Sequence, residues 1–469
     1  MPRIAIIGGG LSGVSCGYEL SRRGFSDFVL YEATARLGGI VETRHQDGFV
    51  IECGADSWVT EKPGAHELAV ELGLEDQILP SNDARRRTYL VVGGELVAMP
   101  DGMRMMVPGD IEAIAASPLF SESARQAYRQ EPSHAEELKA FAASRPADWD
   151  ETVADFVQRH FGVEVSEKIA GPLLAGVFGG DIRKLSAGAV MAAFVKMERE
   201  HGSLVLALQR QARKVQKPSV FTSLKGGLQT LIEGMAAKIA PSAVRLSEPV
   251  KALRPKAGKW EVTAASSTES FEQVVVATPA HMARKLVAPW SQELQSLLEM
   301  EATSAVIAAF AFDQEQSAKL KIPQGFGFLV PQRYESAPAP PELLAGTFVD
   351  QKFSHRAPQG CVLLRAFFGG DSAPSLLLQP DASILELARR QLSQILGEVP
   401  EAKIALVRRW PLSLPQYTVG HQARVARVEE ILGVSPGLHL IGNAFHGVGL
   451  PDMIRQGRIT AAAALLAQR

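Results

Sequence analysis

A strand that runs straight into a glycine cluster and on into a helix leaves a chain few folds to choose from. Here Arg3 to Ile7 is an apolar run of β composition, Gly8-Gly9-Gly10-Leu11-Ser12-Gly13 follows at once, and Val14 to Arg23 has helical composition. Gly24 stops that helix, and Phe28-Val29-Leu30-Tyr31 forms a second strand ending at Glu32. The whole reads as one βαβ unit. Gly8 permits the tight turn, Gly10 lets backbone approach a pyrophosphate, and Gly13 lets the helix pack on the strand, while the first N–H groups of the helix face the phosphate. Glu32 stands 19 residues beyond Gly13, where a carboxylate accepts both hydroxyls of an adenosine ribose and repels a 2′-phosphate. The plain alternative is a glycine-rich turn of any α/β protein with a surface Glu.

Two further segments narrow the dinucleotide to FAD. Arg36-Leu37-Gly38-Gly39 is the second phosphate loop expected just after the ribose-binding strand, though the same string also suits an ordinary hairpin turn. Far downstream, Gly442-Asn443 and Gly447-Val448-Gly449-Leu450-Pro451 again follow a strand and open a helix. A helix N-terminus there suits a ring that gains negative charge on reduction. His446 lies in this turn and is a weaker candidate for a place near the ring.

Composition removes most other classes. Among 469 residues, 49 Lys and Arg face 51 Asp and Glu, a net charge of -2, which argues against an electrostatic nucleic-acid binder. The three cysteines, Cys16, Cys53 and Cys361, form no CxxC pair and lack activating neighbours, so a disulfide framework and covalent catalysis are both disfavoured. The ten His show no HExxH or other metal spacing, and no metal is expected. No GxSxG elbow occurs. The strand at residues 3–7 follows no signal-like segment, and no run of 18 apolar residues exists, so the expectation is a cytoplasmic protein that at most rests on the inner face of the cell membrane. Met103, Met105 and Met106, in a Pro-flanked loop, are the candidates for such contact, with burial in a core as the alternative.

The expected fold class is mixed α/β. An FAD-binding domain is assembled from residues 1–80, 216–295 and 411–469, a mixed-sheet substrate domain from 81–100 and 296–410, and a helical insertion covers 101–215. Within these, a short strand is expected near Phe49-Val50-Ile51, helices over Gly64 to Leu72 and from Lys225-Gly226-Gly227 to Ile239, and a helix over Asp381 to Leu396 with Asp381 as its N-cap. A Pro-rich loop spans Ser336 to Pro341, and an Ala-rich helix runs from Met453 to Ala467.

Four longer strings then matter: Gly54-Ala55-Asp56-Ser57, Gly176-Val177-Phe178-Gly179-Gly180-Asp181, Gly325-Phe326-Gly327-Phe328-Leu329-Val330-Pro331, and Pro415-Gln416-Tyr417-Thr418-Val419-Gly420-His421. With Gly447 to Asp452 they make the chain resemble the FAD-dependent amine oxidase superfamily and, within it, the protoporphyrinogen oxidase family over nearly its full length. The resemblance implies a Rossmann-like FAD domain of the p-hydroxybenzoate-hydroxylase type, a substrate domain and a membrane-facing helical domain. It places Gly8, Gly9, Gly10, Leu11, Ser12, Gly13, Glu32, Arg36, Gly39, Gly54, Ala55, Asp56, Ser57, Val250, Gly442, Val448, Gly449 and Leu450 against non-covalent FAD. Val250 also suits a strand backbone bonding an adenine edge. Gly176, Phe326, Leu329, Phe348 and Phe367 fall where that family lines its tetrapyrrole pocket. The Arg that grips a propionate in plant and animal members aligns with Thr88, directly after Arg85, Arg86 and Arg87, so Arg87 becomes the candidate after a one-residue shift, with a solvated basic turn as the alternative.

The implied activity is oxidation of protoporphyrinogen IX to protoporphyrin IX in haem biosynthesis, with flavin N5 as hydride acceptor, O2 as final acceptor and no catalytic side chain. Coproporphyrinogen III, with two more carboxylates, is the alternative substrate, and an amine or polyamine oxidase on the same fold is the more distant one. A weak membrane-surface contact, a homodimer and hand-over of product to the next haem-pathway enzyme are the partners this reading admits; nucleic acid is not among them.

Overall fold

The computed structural model describes residues 3–212, 219–331, 342–435 and 437–466. Its cofactor layer is a five-stranded parallel sheet in the order Val244–Arg245, Phe28–Tyr31, Ile4–Ile7, Gln273–Val276, Leu438–Leu440. The strands Ile4–Ile7, Phe28–Tyr31 and Gln273–Val276 are buried along their whole length, as a parallel sheet covered on both faces requires. Helix Leu11–Arg22 and the C-terminal helix Leu450–Leu466 cover one face, and they cross closely because Gly457 has no side chain: a Cβ there would meet the Ser12 carbonyl at 2.4 Å. The antiparallel strands Ala252–Lys256, Lys259–Thr263 and Thr268–Phe271 carry Leu253, Trp260, Val262 and Phe271 into the core on the other face.

A seven-stranded mixed sheet forms the second layer, in the order Ile404–Pro415, Ala302–Phe312, Val362–Phe368, Ala345–Phe348, Gly327–Leu329, Thr88–Val92, Glu95–Ala98. The two faces of this sheet differ. Phe310, Phe312, Phe328, Phe348, Leu364 and Phe368 pack with Ile384, Ala388 and Leu392 of helix Asp381–Leu396 on the outer face. Leu363 and Ala309 point inward, toward Phe49 and Ile51 of strand Phe49–Glu52, which forms a two-stranded sheet with Thr43–Gln46.

Helices between Ile111–Ala115 and Leu204–Ala212 build the third block around Tyr128, Phe156, Phe161 and Leu204. Polar groups pin its centre. His160 sits between Glu131 at 3.0 Å and Glu198 at 3.2 Å, and Arg159 joins Glu198 to Glu151. The largest departure from regularity is in helix Val153–Val165, where Gly162 takes φ 83° and a π turn, Ser166–Ala170, follows.

Three expectations change. Pro380, not Asp381, precedes helix Asp381–Leu396; Asp381 is its first residue and its carboxylate lies 2.6 Å from Arg409. The strand Ile404–Pro415 runs across the expected boundary at 410/411. Met106 is fully buried, and Met103 and Met105 pack half-buried against the same helical core, because the loop folds as a small hairpin of Met103–Arg104 with Val107–Pro108. The loop Ser336 to Pro341 and the end of the last helix at Ala467 lie outside the described residues. No helix among the described residues is long and apolar enough to cross a membrane.

The burial of Met106 has a measurable consequence. Met106→Ser removes packed volume and introduces a hydroxyl, so it should cost about 2 to 5 kcal/mol of stability, whereas Met103→Ser and Met105→Ser cost clearly less. Thermal melts of the three single variants, alongside liposome flotation, check this: loss of liposome binding without loss of melting temperature in Met106→Ser would restore the membrane role.

Candidate active site

The glycine loop occupies the C-terminal edge of the central strand. Gly8 N donates to Tyr31 O at 2.8 Å, and Gly8 takes φ 109°. A Cβ on Gly13 would lie 1.9 Å from the Gly8 carbonyl oxygen, so only glycine lets the helix meet the strand there. At Gly10 a Cβ would meet nothing within 4 Å. That open space lies at the N-terminus of helix Leu11–Arg22, where no side chain caps the first N–H groups. Glu32 Oε2 accepts from Gly9 N at 2.7 Å, and Oε1 accepts from Thr34 N at 2.8 Å and Thr34 Oγ1 at 2.7 Å. The carboxylate therefore stands beside the loop, at the end of the second strand.

The second glycine loop packs on the first. Gly38 N donates to Gly9 O at 2.8 Å, and a Cβ on Gly39 would approach Gly10 Cα to 3.2 Å. Arg36 shapes this loop rather than extending from it: its guanidinium donates to Leu37 O, Val41 O and Gly39 O and pairs with Glu42. Val250 is half-buried in the extended stretch between strands Val244–Arg245 and Ala252–Lys256, outside either ladder.

Loop Gly54 to Ser57 lies where the two sheets meet. A Cβ on Gly54 would lie 1.9 Å from Ile40 O, which fixes glycine there, and Ala55 packs beside it against the cofactor-layer core. Asp56 is held by Lys352 Nζ at 2.9 Å and by Arg365 Nη1 at 3.4 Å, and Ser57 Oγ donates to it at 2.7 Å. Burial alone would raise the Asp56 carboxyl, but the two cations hold it well below the usual carboxylate range. Arg365 also donates to Gly54 O and lies over the Phe367 ring at 4.8 Å. Sequence reasoning missed Lys352 and Arg365. A charged residue inside the apolar strand Val362–Phe368 was the available signal.

The C-terminal turn is held from one side. Tyr417 donates its phenol proton to Asn443 O at 2.6 Å and accepts from Gly447 N at 3.1 Å. His421 stacks on Tyr417 with centroids 3.8 Å apart, its Nε2 3.1 Å from Phe445 O. Gly442 and Gly447 take φ 134° and 106°, and Gly442 N donates to Gln456 Oε1 at 3.2 Å. Val448 packs against the helical block, Gly449 O accepts from Asp452 N, and Leu450 begins the last helix, with Lys62 2.6 Å from Asp452. His446 turns outward, exposed, to pair with Glu429 at 2.8 Å.

Of the pocket candidates, the structure brings together Leu329, Phe367 and Gly176 and separates Phe348. Register pairs Leu329 with Ala345 and Ala345 with Phe367, so all three share the inner face, and Gly176, exposed on helix Gly171–Phe178, lies across from Leu329: a Cβ there would contact Leu329 Cδ2 at 3.4 Å. Phe348 is buried on the outer face, 6.1 Å from Phe328. Phe326 is nearly buried and its N donates to Arg87 O at 2.8 Å, while the side chains of Arg85, Arg86 and Arg87 are exposed.

The fit to FAD can be judged on this geometry. Ser12 Oγ, Thr278 Oγ1 and Gln456 Nε2 are buried without a partner around the glycine loops, and Gly10 faces empty space. Buried polar groups of this kind are satisfied by a polar ligand. No group of three His, Cys, Asp or Glu among the described residues is arranged to hold a metal.

The sequence profile of the family described as flavin containing amine oxidoreductase matches residues 11–465. A coproporphyrinogen III oxidase of Bacillus subtilis (strain 168) is 30% identical over 98% of this chain and 97% of its own length. A protoporphyrinogen oxidase of Bos taurus is 31% identical over 98% of each chain. A crystal structure provisionally described as a protoporphyrinogen oxidase, from Exiguobacterium sp. 255-15, superposes with a TM-score of 0.86 at 31% identity, covering 99% of both chains. The chain belongs to the flavin containing amine oxidoreductase family, and its cofactor is FAD.

Two outcomes follow. Glu32→Ala removes charge-assisted hydrogen bonds worth about 1.5 to 3 kcal/mol, so FAD affinity should fall roughly ten- to a hundredfold; unchanged titration of apoprotein with FAD removes Glu32 from the ribose site. Burial pulls the His421 imidazole down to about 4, against its ordinary 6.5, with the Phe445 carbonyl and Asp150 opposing and Arg424 and His446 reinforcing. Its folded form stays neutral while the unfolded form takes a proton, so stability present above pH 6.5 is lost as pH falls toward 4, by about 3 kcal/mol in all. Melting curves across that window should be steeper in pH for the wild type than for His421→Gln, and equal slopes would discharge His421.

Proposed function

We propose that the chain oxidises a porphyrinogen, a non-aromatic tetrapyrrole, to the corresponding porphyrin in haem biosynthesis. The observation that carries this is an inner sheet face of Leu329, Ala345 and Phe367 with bare helix backbone at Gly176 beside Leu329, and with Arg365, two residues before Phe367, bonded to Gly54 O. We take this face as the wall of a substrate slot, since an apolar surface edged by bare backbone suits the flat face of a macrocycle. The two porphyrinogen-oxidising relatives, near 30% identity over almost the whole chain, support the same substrate class.

Gly8 to Gly13, Glu32, the Gly38-Gly39 loop, Gly54 to Ser57 and the turn Gly442 to Gly449 would hold FAD. Bound FAD would supply three successive two-electron oxidations, six electrons in all, with O2 as the final acceptor in this reading. Leu329 and Phe367 orient the ring and exclude water from its face. The row itself carries no base, so pyrrole N–H protons leave to solvent rather than to a side chain.

Protoporphyrinogen IX is the substrate implied by the motifs, but a specific observation favours coproporphyrinogen III. Arg85, Arg86 and Arg87 form an exposed basic turn directly before strand Thr88–Val92, tied to the slot through Phe326 N, and Thr88 itself brings no charge. Three guanidinium groups on the turn next to strand Gly327–Leu329 would favour the substrate with more carboxylates. We therefore place coproporphyrinogen III first.

Anaerobic mixing with each porphyrinogen while following flavin absorbance tests the reading, and failure of both to bleach the flavin overturns it. Replacing Arg85, Arg86 and Arg87 together by Gln should lower kcat/KM roughly tenfold more for coproporphyrinogen III than for protoporphyrinogen IX. Phe367→Ala should weaken porphyrinogen use roughly ten- to a hundredfold with little change in melting temperature. Phe348→Ala, on the outer face, should instead cost about 3 to 5 kcal/mol of stability. Porphyrin fluorescence beside a thermal melt separates the two, and melting loss in step with activity for Phe367→Ala would return that ring to the core.

A further inference from the structure

The string Pro415 to His421 marks the family in the sequence, and the polar atoms of Gln416, Tyr417 and His421 are spent on other parts of the chain. Its contacts reach three parts of the molecule. Gln416 is buried and its Nε2 donates to Phe178 O at 2.7 Å and Thr303 Oγ1 at 3.1 Å, so it caps the end of helix Gly171–Phe178, which carries Gly176. A Cβ on Gly180 would lie 1.7 Å from Gln416 Oε1, so the neighbouring chain is shaped to seat this amide. Tyr417, only 3% exposed, binds Asn443 O and Gly447 N, and His421 stacked on it adds Phe445 O. Backbone then ties the segment to the helical block: Ser186 N donates to Tyr417 O at 2.7 Å, Val419 N to Lys184 O at 3.1 Å, and Gly420 N to Asp150 Oδ2 at 3.0 Å.

The turn Gly442 to Gly449 has no ladder of its own, and two of its glycines sit at positive φ. Its shape is imposed from outside. The phenol of Tyr417 uses both its donor and its acceptor for that purpose, on backbone atoms four residues apart. Asn443 Nδ2 to Ser413 O at 2.9 Å anchors the same turn to the strand that leads into the segment.

We propose that Tyr417 is a positioning residue that couples the pocket wall to the cofactor turn: a ligand lying against Gly176 and Leu329 is felt at Asn443 and Gly447 through Phe178, Gln416 and Tyr417. The proposal rests on the slot and cofactor assignments above. It gives the Gln416-Tyr417 pair a task that neither substrate contact nor chemistry supplies. Buried networks of this kind have discrete arrangements rather than a continuum, which is what coupling between two sites needs.

Tyr417→Phe keeps the ring and its stack on His421 while removing both hydrogen bonds. FAD affinity of the variant, titrated into apoprotein, should fall about tenfold, with the melting temperature of the apoprotein nearly unchanged. Hydrogen exchange on FAD-loaded protein, with and without protoporphyrin IX as probe, reads the coupling itself. In the wild type the porphyrin should slow exchange in both 171–178 and 442–449; in Tyr417→Phe it should slow exchange in 171–178 only. Unchanged FAD affinity, or porphyrin-dependent protection of 442–449 that survives in Tyr417→Phe, overturns the proposal. Absence of protection at 171–178 in the wild type would instead overturn the slot assignment on which it rests. Should Tyr417→Phe fail to fold, His421→Gln, which removes the stacked ring, should shift the same two readouts in the same direction by a smaller factor, and no shift counts against the coupling.

Discussion

The two sheets are held in one relation by charges buried between them. Basic groups come from the substrate side: Lys352 at the end of helix Val349–Lys352, Arg356 just after it, Arg365 in strand Val362–Phe368 and Arg408 in strand Ile404–Pro415. Acidic groups come from the cofactor side: Glu42, Glu52 and Asp56. Arg356 and Glu52 are fully buried 3.3 Å apart, and burial raises the Glu52 carboxyl and lowers the Arg356 guanidinium despite their pairing. Such pairs add little net stability, but parting one leaves a charge in apolar surroundings at a cost of about 3 to 5 kcal/mol. Sliding the substrate sheet over the cofactor layer would break several at once. The relative position of the layers is therefore fixed by these ion pairs together with the apolar contacts of Leu363 and Ala309 on Phe49 and Ile51.

Strand parity does the rest. Arg365 and Phe367 lie two residues apart and share the inner face, so the residue that bonds across the layers also places the ring proposed as a slot wall. The intervening Ala366, with Leu364 and Phe368, belongs to the outer core against helix Asp381–Leu396. A one-residue slip would put Arg365 into that core and Phe367 away from the slot. Lock and wall are one register, and neither can be altered without the other.

How much of this was readable from the chain depended on the range of the interactions. The βαβ unit was legible because its signals are local: a buried strand, glycines whose absent side chains the turn needs, and an acid at the next strand end. The helical block and the substrate sheet were legible as blocks from the return of periodic apolar positions. Phe348 was not legible as a core residue, since its face depends on pairing with Leu364 far along the chain. The motif placed Arg36 in a phosphate loop, but it could not show that the guanidinium also bonds three carbonyls of its own loop, which only three-dimensional proximity reveals. Met106 could be read as a membrane contact or as core, because three methionines beside a proline say nothing about which helices they meet. Lys352, Arg356 and Arg365 were invisible as a group because their partners lie some 300 residues away in sequence, as with Lys352 and Asp56.

A flavin enzyme of this kind asks its protein for placement more than for reactive side chains, and the distribution of constraint in the chain reflects that. The positions with least freedom are backbone ones: at Gly13, Gly54 and Gly457 an added Cβ would collide with a carbonyl oxygen, so no side chain of any chemistry is admissible. The slot walls need only be apolar and of suitable thickness, and many residues meet that condition. Relatives named for two different porphyrinogens match this chain at about 30% identity over nearly its whole length, as expected when the glycine loops and the buried charge layer carry most of the constraint.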